Sequence, residues 1–258
     1  MPSHSKLIAW SSVCLALLLA AFGSQLQAQS QRPAHHPSEM NKKFTAPELD
    51  IQEFVKRFED ESRDIYAQRK AIDDAVHPQP GDAVADLGAG TGLFTHLFAE
   101  RVGPKGKVYA VDIGPAFLKH IAKQANRLGQ ERVVKTVLGT QESTNLLPGS
   151  VDVVFICDTY HHFEHPHKML DSVHGGLRPG GRLILVDFDL RKDSSEFIKQ
   201  RARAPKEVYF REIVDAGFER IETKDAPKLK ENFYAEFRRV ERTPVIPVAP
   251  GKGNRRKQ

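Results

Sequence analysis

Nine residues, Val84-Ala85-Asp86-Leu87-Gly88-Ala89-Gly90-Thr91-Gly92, carry an apolar strand straight into three alternating glycines. A second apolar run, Val108 to Val111, ends at Asp112. This arrangement leaves few folding options. The chain must turn sharply after the first strand, present bare backbone at the turn and return as a helix, while the acid at the next strand end is placed to bind two ribose hydroxyls. The pair of features predicts a nucleotide-like cofactor bound at a strand-to-helix turn. Leu93 stands where the third glycine of a dinucleotide-binding signature would fall.

The strand and helix signals around this turn alternate. Strands are expected at 83–86, 108–112, 133–138, 151–157 and 182–188, with helices at 93–102, 116–128 and 166–177 between them. Such alternation means parallel pairing through right-handed crossovers, with helices on both faces. The continuous apolar runs Val153-Val154-Phe155-Ile156 and Leu183-Ile184-Leu185-Val186 suit central strands buried on both sides. The last part changes character: a helix over 206–216, a strand over 218–223 and an alternating segment over 232–240 read as an antiparallel terminal hairpin.

A domain of this kind accounts for residues 51–242, opened by a helical segment over 51–77. Residues 1–28 read as a signal peptide, with Lys6 ahead of an apolar run from Leu7 to Phe22 and small residues at Gly23, Ser24 and Ala28. That run is shorter than the ~20 residues a spanning helix needs, so export is expected and no stable membrane span after cleavage. Residues 29–50, polar and proline-bearing, read as a flexible linker, and 243–258 as a disordered basic tail. The net charge of +5 becomes +4 without Lys6, and loss of Cys14 leaves Cys157 as the one thiol. That excludes an intramolecular disulfide and cysteine-rich metal sites. The modest basic excess forms no long patch with interleaved aromatics, so no nucleic-acid partner is expected.

The motif residues resemble class I S-adenosylmethionine-dependent methyltransferases: Val84 to Gly92, the ribose acid Asp112, the strand-four segment Ser150-Val151-Asp152-Val153-Val154, and the strand-five entry Leu177-Arg178-Pro179-Gly180-Gly181-Arg182-Leu183. More narrowly, Asp158 to Phe163 and Leu229 to Tyr234 resemble a bacterial group of small exported or periplasmic methyltransferases. The resemblance implies an α/β, Rossmann-like seven-stranded sheet, mostly parallel with an antiparallel C-terminal strand and helices on both faces. It implies S-adenosyl-L-methionine as methyl donor and in-line displacement onto a small-molecule acceptor, in the periplasm or outside the cell. A non-catalytic protein binding the donor or its demethylated product stays open as a second class. A nicotinamide-dependent oxidoreductase is disfavoured by the glycine spacing and the terminal hairpin.

Residue by residue, the resemblance places Asp86 beneath the methionine portion of the donor and Gly88, Ala89, Gly90 and Gly92 at the backbone approach. Asp112 would hold the ribose and Ile113 lie along the adenine. Where many relatives carry Gly-Asp-Ala, this chain has Gly139-Thr140-Gln141, so the adenine contact passes to Gln141 or Glu142, with Gln141 preferred. Asp158, Tyr160, His161 and His162 follow the fourth strand, where a doubly wound sheet presents residues to ligand. Asp158 would hold the donor or the acceptor, Tyr160 orient the acceptor, and one of the histidines act as base, its ordinary pKa near 6.5 suiting neutral pH. The competing reading packs one histidine under the loop. His161, His162, His165 and His167 are dense, but such close neighbours do not converge on one ion, so no metal is expected. Arg201, Arg203 and Lys206 are either acceptor-binding cations or exposed loop charges, and Phe197, Tyr209 and Phe210 either line the same space or pack in the core.

Overall fold

Alternation along the first strand divides the interior in two. Ala83, Ala85 and Leu87 join one apolar cluster and Val84 the other, because successive side chains of a strand point to opposite faces. A computed structural model of the chain describes residues 41–46, 49–223 and 225–242, all within the compact unit Pro37–Gln258. The expected signal peptide, the first part of the expected linker and the basic tail lie outside the described residues.

Helices α1 (Ile51–Phe58), α2 (Asp64–Ala67) and α3 (Arg69–Val76) lead into β1 (Ala83–Leu87). There follow α4 (Leu93–Val102), β2 (Lys107–Asp112), α5 (Pro115–Arg127), β3 (Val134–Leu138) and β4 (Val151–Cys157). A short 3-10 turn at Tyr160–His162 leads to α6 (Pro166–Gly176) and β5 (Leu177–Phe188). Helices α7 (Glu196–Arg201) and α8 (Lys206–Asp215) then precede β6 (Phe218–Ile221) and β7 (Asn232–Arg239).

The strands form one seven-stranded sheet in the order β3-β2-β1-β4-β5-β7-β6. The first five are parallel, and β7 pairs antiparallel with both β5 and β6. Met169, Leu170 and Val173 of α6 and Tyr209 and Ile213 of α8 cover one face; Ile72, Phe98 and Ile121 of α3, α4 and α5 cover the other. Val154 and Ile156 face the first layer and Val153 and Phe155 the second, all buried, which is why strand four carries no polar alternation. The expected sheet, terminal hairpin included, is the observed one. The strand order reverses between β1 and β4, and in such sheets the crevice outside the carboxyl ends at that point receives the ligand.

Two segments depart from the sequence reading. The described part of the expected linker packs on the domain: Asn41 is buried, and its amide donates to Gln141 Oε1 (3.2 Å), the His162 carbonyl (2.9 Å) and Glu164 Oε1 (3.0 Å). The stretch between β5 and the following helix, read as loop, contains α7, capped by Ser195 and anchored by the buried Ile198.

Candidate active site

At the end of β1 the backbone enters the left-handed region at Gly88, with φ of +78°. A β-carbon there would strike the Thr159 side chain, so this close approach of two loops requires glycine. Gly88, Ala89, Gly90, Asp112 and Ile113 line a cavity of about 620 Å³ across the β1/β4 crevice. Asp86, Gln141, Asp158, His161 and His162 line it too. Two expected site residues do not. Gly92 instead caps α4 with φ of +90°, and a β-carbon there would lie 2.9 Å from Ile121, so it serves helix packing. Tyr160 is fully buried beneath the loop, its hydroxyl donating to Glu212 Oε2 at 2.8 Å and its ring packed on Phe163 and Tyr209. Burial and the Glu212 carboxylate push its phenol far up, so it stays protonated. Tyr160 is a core residue because the 3-10 turn rotates it away from its two histidine neighbours.

Three carboxylates converge on the cavity from three strand ends. Asp86 accepts from Thr95 Oγ1 at 2.6 Å, and burial raises its pKa to about 7 against that hydrogen bond. Asp112 accepts from the Gly90 amide (2.9 Å) through one oxygen and the Gly114 amide (2.8 Å) through the other; burial raises its pKa too. Asp158, with φ of +46°, accepts from Arg63 Nη2 (2.5 Å) and Asn232 Nδ2 (2.6 Å). Burial raises it to about 6, with the Arg63 charge opposing.

His161 carries the remaining chemistry. It is 2% exposed, its Nδ1 lies 2.8 Å from Asp187 Oδ1, and its backbone amide donates to Asp187 Oδ2 at 3.1 Å. Asp187, the penultimate residue of β5, is wholly buried and also accepts from the Phe188 amide at 2.7 Å. Such a carboxylate selects the tautomer with hydrogen on Nδ1 and leaves Nε2 as the basic nitrogen. His162 stacks obliquely on His161 (4.2 Å between ring centroids) and meets the edge of Phe44 (5.3 Å).

The arrangement fits a cofactor carrying a ribose and a cationic amino acid end. Asp112 keeps acceptor capacity on both oxygens, which a vicinal diol requires. Asp86 and Asp158 are carboxylates pushed up by burial, which a nearby cation would bring down. A β-carbon on Gly90 would make ordinary contact with the Phe58 ring at 3.5 Å, so it is the φ of +53° that favours glycine there. Gln141 accepts from Asn41, and Glu142 turns outward to Lys168 (2.7 Å).

Sequence reasoning missed Arg63, Asp187 and Asn232, and the aromatic wall of Phe44, Phe58 and Phe188. Asp187 had a signal, an acid near the end of an otherwise apolar strand. Arg63 and Phe44 had none, because their places depend on how the segment ahead of β1 folds back. Of the cations read as acceptor-binding candidates, Arg203 is taken by Glu212 (2.6 Å) and Lys206 by Asp189 (3.0 Å), while Arg201 lines the cavity. Phe197 lines it as well, whereas Phe210 packs on Phe233 and Phe237.

Comparison with known proteins places these features in context. A methyltransferase-domain family model matches residues 85–183. A ubiquinone/menaquinone biosynthesis C-methyltransferase of Methylococcus capsulatus is 34% identical over 118 residues, covering 45% of this chain and 46% of that protein. The chain thus spans less than half the length of that curated relative. Among solved structures, a SAM dependent methyltransferase from Aquifex aeolicus superposes with a TM-score of 0.63 at 22% identity, over 75% of this chain and all of that one. The [4+2]-cyclase SpnF superposes with a TM-score of 0.57 at 12% identity, over 68% of this chain and 81% of that one.

Proposed function

For a chain whose residues 85–183 match a methyltransferase domain, set in a Rossmann-like methyltransferase fold, we propose S-adenosylmethionine-dependent methyl transfer to a small-molecule acceptor. The observation that carries this reading is the convergence of Asp86, Asp112 and Asp158 with the Gly88–Gly90 backbone on one cavity. When bound, the donor supplies an electrophilic methyl carbon on a sulfonium. The chain's own part is to hold, orient and exclude water. Asp112 binds the ribose, Asp86 and Asp158 balance the positive charge, and Ile113 and Gln141 flank the base. The aromatic wall keeps water from the reacting line.

His161 is the base. Asp187 fixes its ring, and Nε2 would take the proton released by a hydroxyl or amine acceptor as that atom is methylated. His162 shapes the cavity beside it.

The acceptor-facing walls come from 41–63 and 188–201, outside the matched residues 85–183. The acceptor chemistry named for the curated relative, C-methylation in quinone biosynthesis, therefore belongs in a test panel rather than in the assignment. The deciding experiment is titration calorimetry of purified protein with S-adenosylmethionine and S-adenosylhomocysteine, followed by turnover across acceptors. Binding of both with product formation is expected. Absence of binding would sink the enzyme reading, and binding without turnover over a wide panel would favour a sensor. We further propose export directed by residues 1–28, tested by fractionation with N-terminal sequencing; a cytoplasmic protein beginning at Met1 would refute it.

A further inference from the structure

We propose that the acceptor is an anionic small molecule with an apolar body, its acid group held by Arg201, Arg57 and Lys43 while its reacting atom faces His161. The inference rests on the methyltransferase reading for the identity of the reacting atom, and on the cavity's own cations for the charge of the ligand.

Those three cations come from separate parts of the chain. Lys43 lies in the stretch ahead of α1, Arg57 in the last turn of α1 and Arg201 at the end of α7, yet all line the one cavity. Lys43 and Arg57 are exposed and Arg201 is half-buried, so their mutual repulsion is partly screened by solvent and salt, and an anion among them would gain from all three. Among the described residues none of the three has a carboxylate within salt-bridge distance, although nearby cations of the same region do: Arg63 holds Asp158, Arg203 holds Glu212 and Lys206 holds Asp189. Each lies instead over an aromatic ring: Lys43 over Phe44 (4.9 Å), Arg57 over Phe58 (5.9 Å) and Arg201 over Phe197 (3.7 Å). Their proximity registers in their acidity. Burial first, then the Arg57 and Arg201 charges, lower the pKa of Lys43; burial first, then Arg57 and Arg63, lower that of Arg201.

A ladder of rings joins this charge to the base. His161 packs on Phe188 at 5.0 Å, Phe188 meets Phe197 edge-on at 5.8 Å, and Arg201 covers Phe197. Phe197 is 46% exposed and lines the cavity, so its ring is accessible to a ligand. A ligand with an aromatic or similarly flat apolar body lying along Phe188 and Phe197 would put an acid at Arg201 and its other end at His161. A neutral acceptor would make no use of the three cations.

The test uses the whole protein saturated with S-adenosylhomocysteine and three matched probe pairs: 4-hydroxybenzoate, 4-hydroxyphenylacetate and 4-hydroxycinnamate, each against its amide. Ligand-observed NMR reads binding. At least one acid should bind about tenfold or more tightly than its amide at low salt, with the preference shrinking as salt rises. In an Arg57→Gln/Arg201→Gln variant the preference should fall to about twofold or less. Equal binding of acids and amides, or no binding by either class, overturns the proposal. So does a variant whose main defect is S-adenosylmethionine affinity, since the cations would then serve the donor's carboxylate. Calorimetry with S-adenosylmethionine on the unmodified protein is read separately: its failure counts against the methyltransferase reading, whereas acid selectivity counts for the anion site alone.

Discussion

His161 lines the cavity with the buried Asp187 2.8 Å from its Nδ1, while the adjacent Tyr160 is buried in the core, so these three side chains have separable roles. A base with a buried carboxylate behind it contributes about 10²- to 10⁴-fold where the acceptor carries a proton. His161→Ala should therefore lower kcat by about that factor while calorimetry shows donor affinity within a few fold of the original. Asp187→Asn should keep the ring in place but favour the wrong tautomer, giving a loss of similar kind. Tyr160→Phe should act the other way round. The phenol's hydrogen bond to Glu212 is lost while Arg203 still pairs that carboxylate, so thermal unfolding should report about 1 kcal/mol of destabilisation with kcat nearly unchanged. Loss of turnover in Tyr160→Phe with stability retained would restore it to the reacting line.

The elements that build the site differ in how openly the sequence declares them. Strand β1, its glycine turn and the β2 acid are written in contiguous residues, because sharp turning and close backbone approach demand specific residue types at fixed spacing. The β6–β7 hairpin was legible too, since Phe233, Ala235 and Phe237 alternate with polar neighbours. The segment from Asn41 to Arg63 was not. Its role depends on long-range contacts: Asn41 reaching Gln141 and Glu164, and Arg63 reaching Asp158 across 95 residues of chain. Polar composition made the part up to Asp50 read as linker, and the helical rhythm expected from Ile51 onward, which the structure shows, said nothing of what Arg63 would touch. Tyr160 was misplaced for a related reason: strand four predicts a loop facing the ligand but not the 3-10 turn that carries Tyr160 into the core. These elements are coupled at Asp158, held by Arg63 from the N-terminal segment and Asn232 from β7. Arg63→Ala would leave that carboxylate mostly buried with its cation gone, costing about 1–3 kcal/mol in chemical denaturation and weakening donor affinity. Gly88→Ala should be harsher for binding, since the new methyl strikes Thr159 and the φ of +78° disfavours any side chain; no donor binding is expected by calorimetry.

At the scale of the molecule, the two apolar layers are continuous but the crevice between β1 and β4 concentrates carboxylates that burial disfavours, and this gives the ligand-free protein a definite pH behaviour. Asp86, with a folded pKa of about 7, and Asp158, about 6, both lie above the ~3.9 of an unfolded aspartate. Between those values the native state binds more protons than the unfolded state, so stability declines as pH rises from about 4 and levels off above about 7. With ~1.4 kcal/mol per pKa unit, the decline attributable to Asp86 amounts to a few kcal/mol. Thermal melts of ligand-free protein should fall in midpoint across this window, and Asp86→Asn should remove much of the fall. The variant should be more stable than the parent at pH 8 and no more stable at pH 4. A bound cation reverses the balance by favouring the ionised carboxylates, so donor binding should release protons and tighten as pH rises from about 5.5 to 7.5. Calorimetry in buffers of differing ionisation enthalpy reads the proton release directly. Unchanged affinity and no proton release across that window would mean that Asp86 and Asp158 do not face the donor's charge, and that the buried acids at this crevice serve the fold alone.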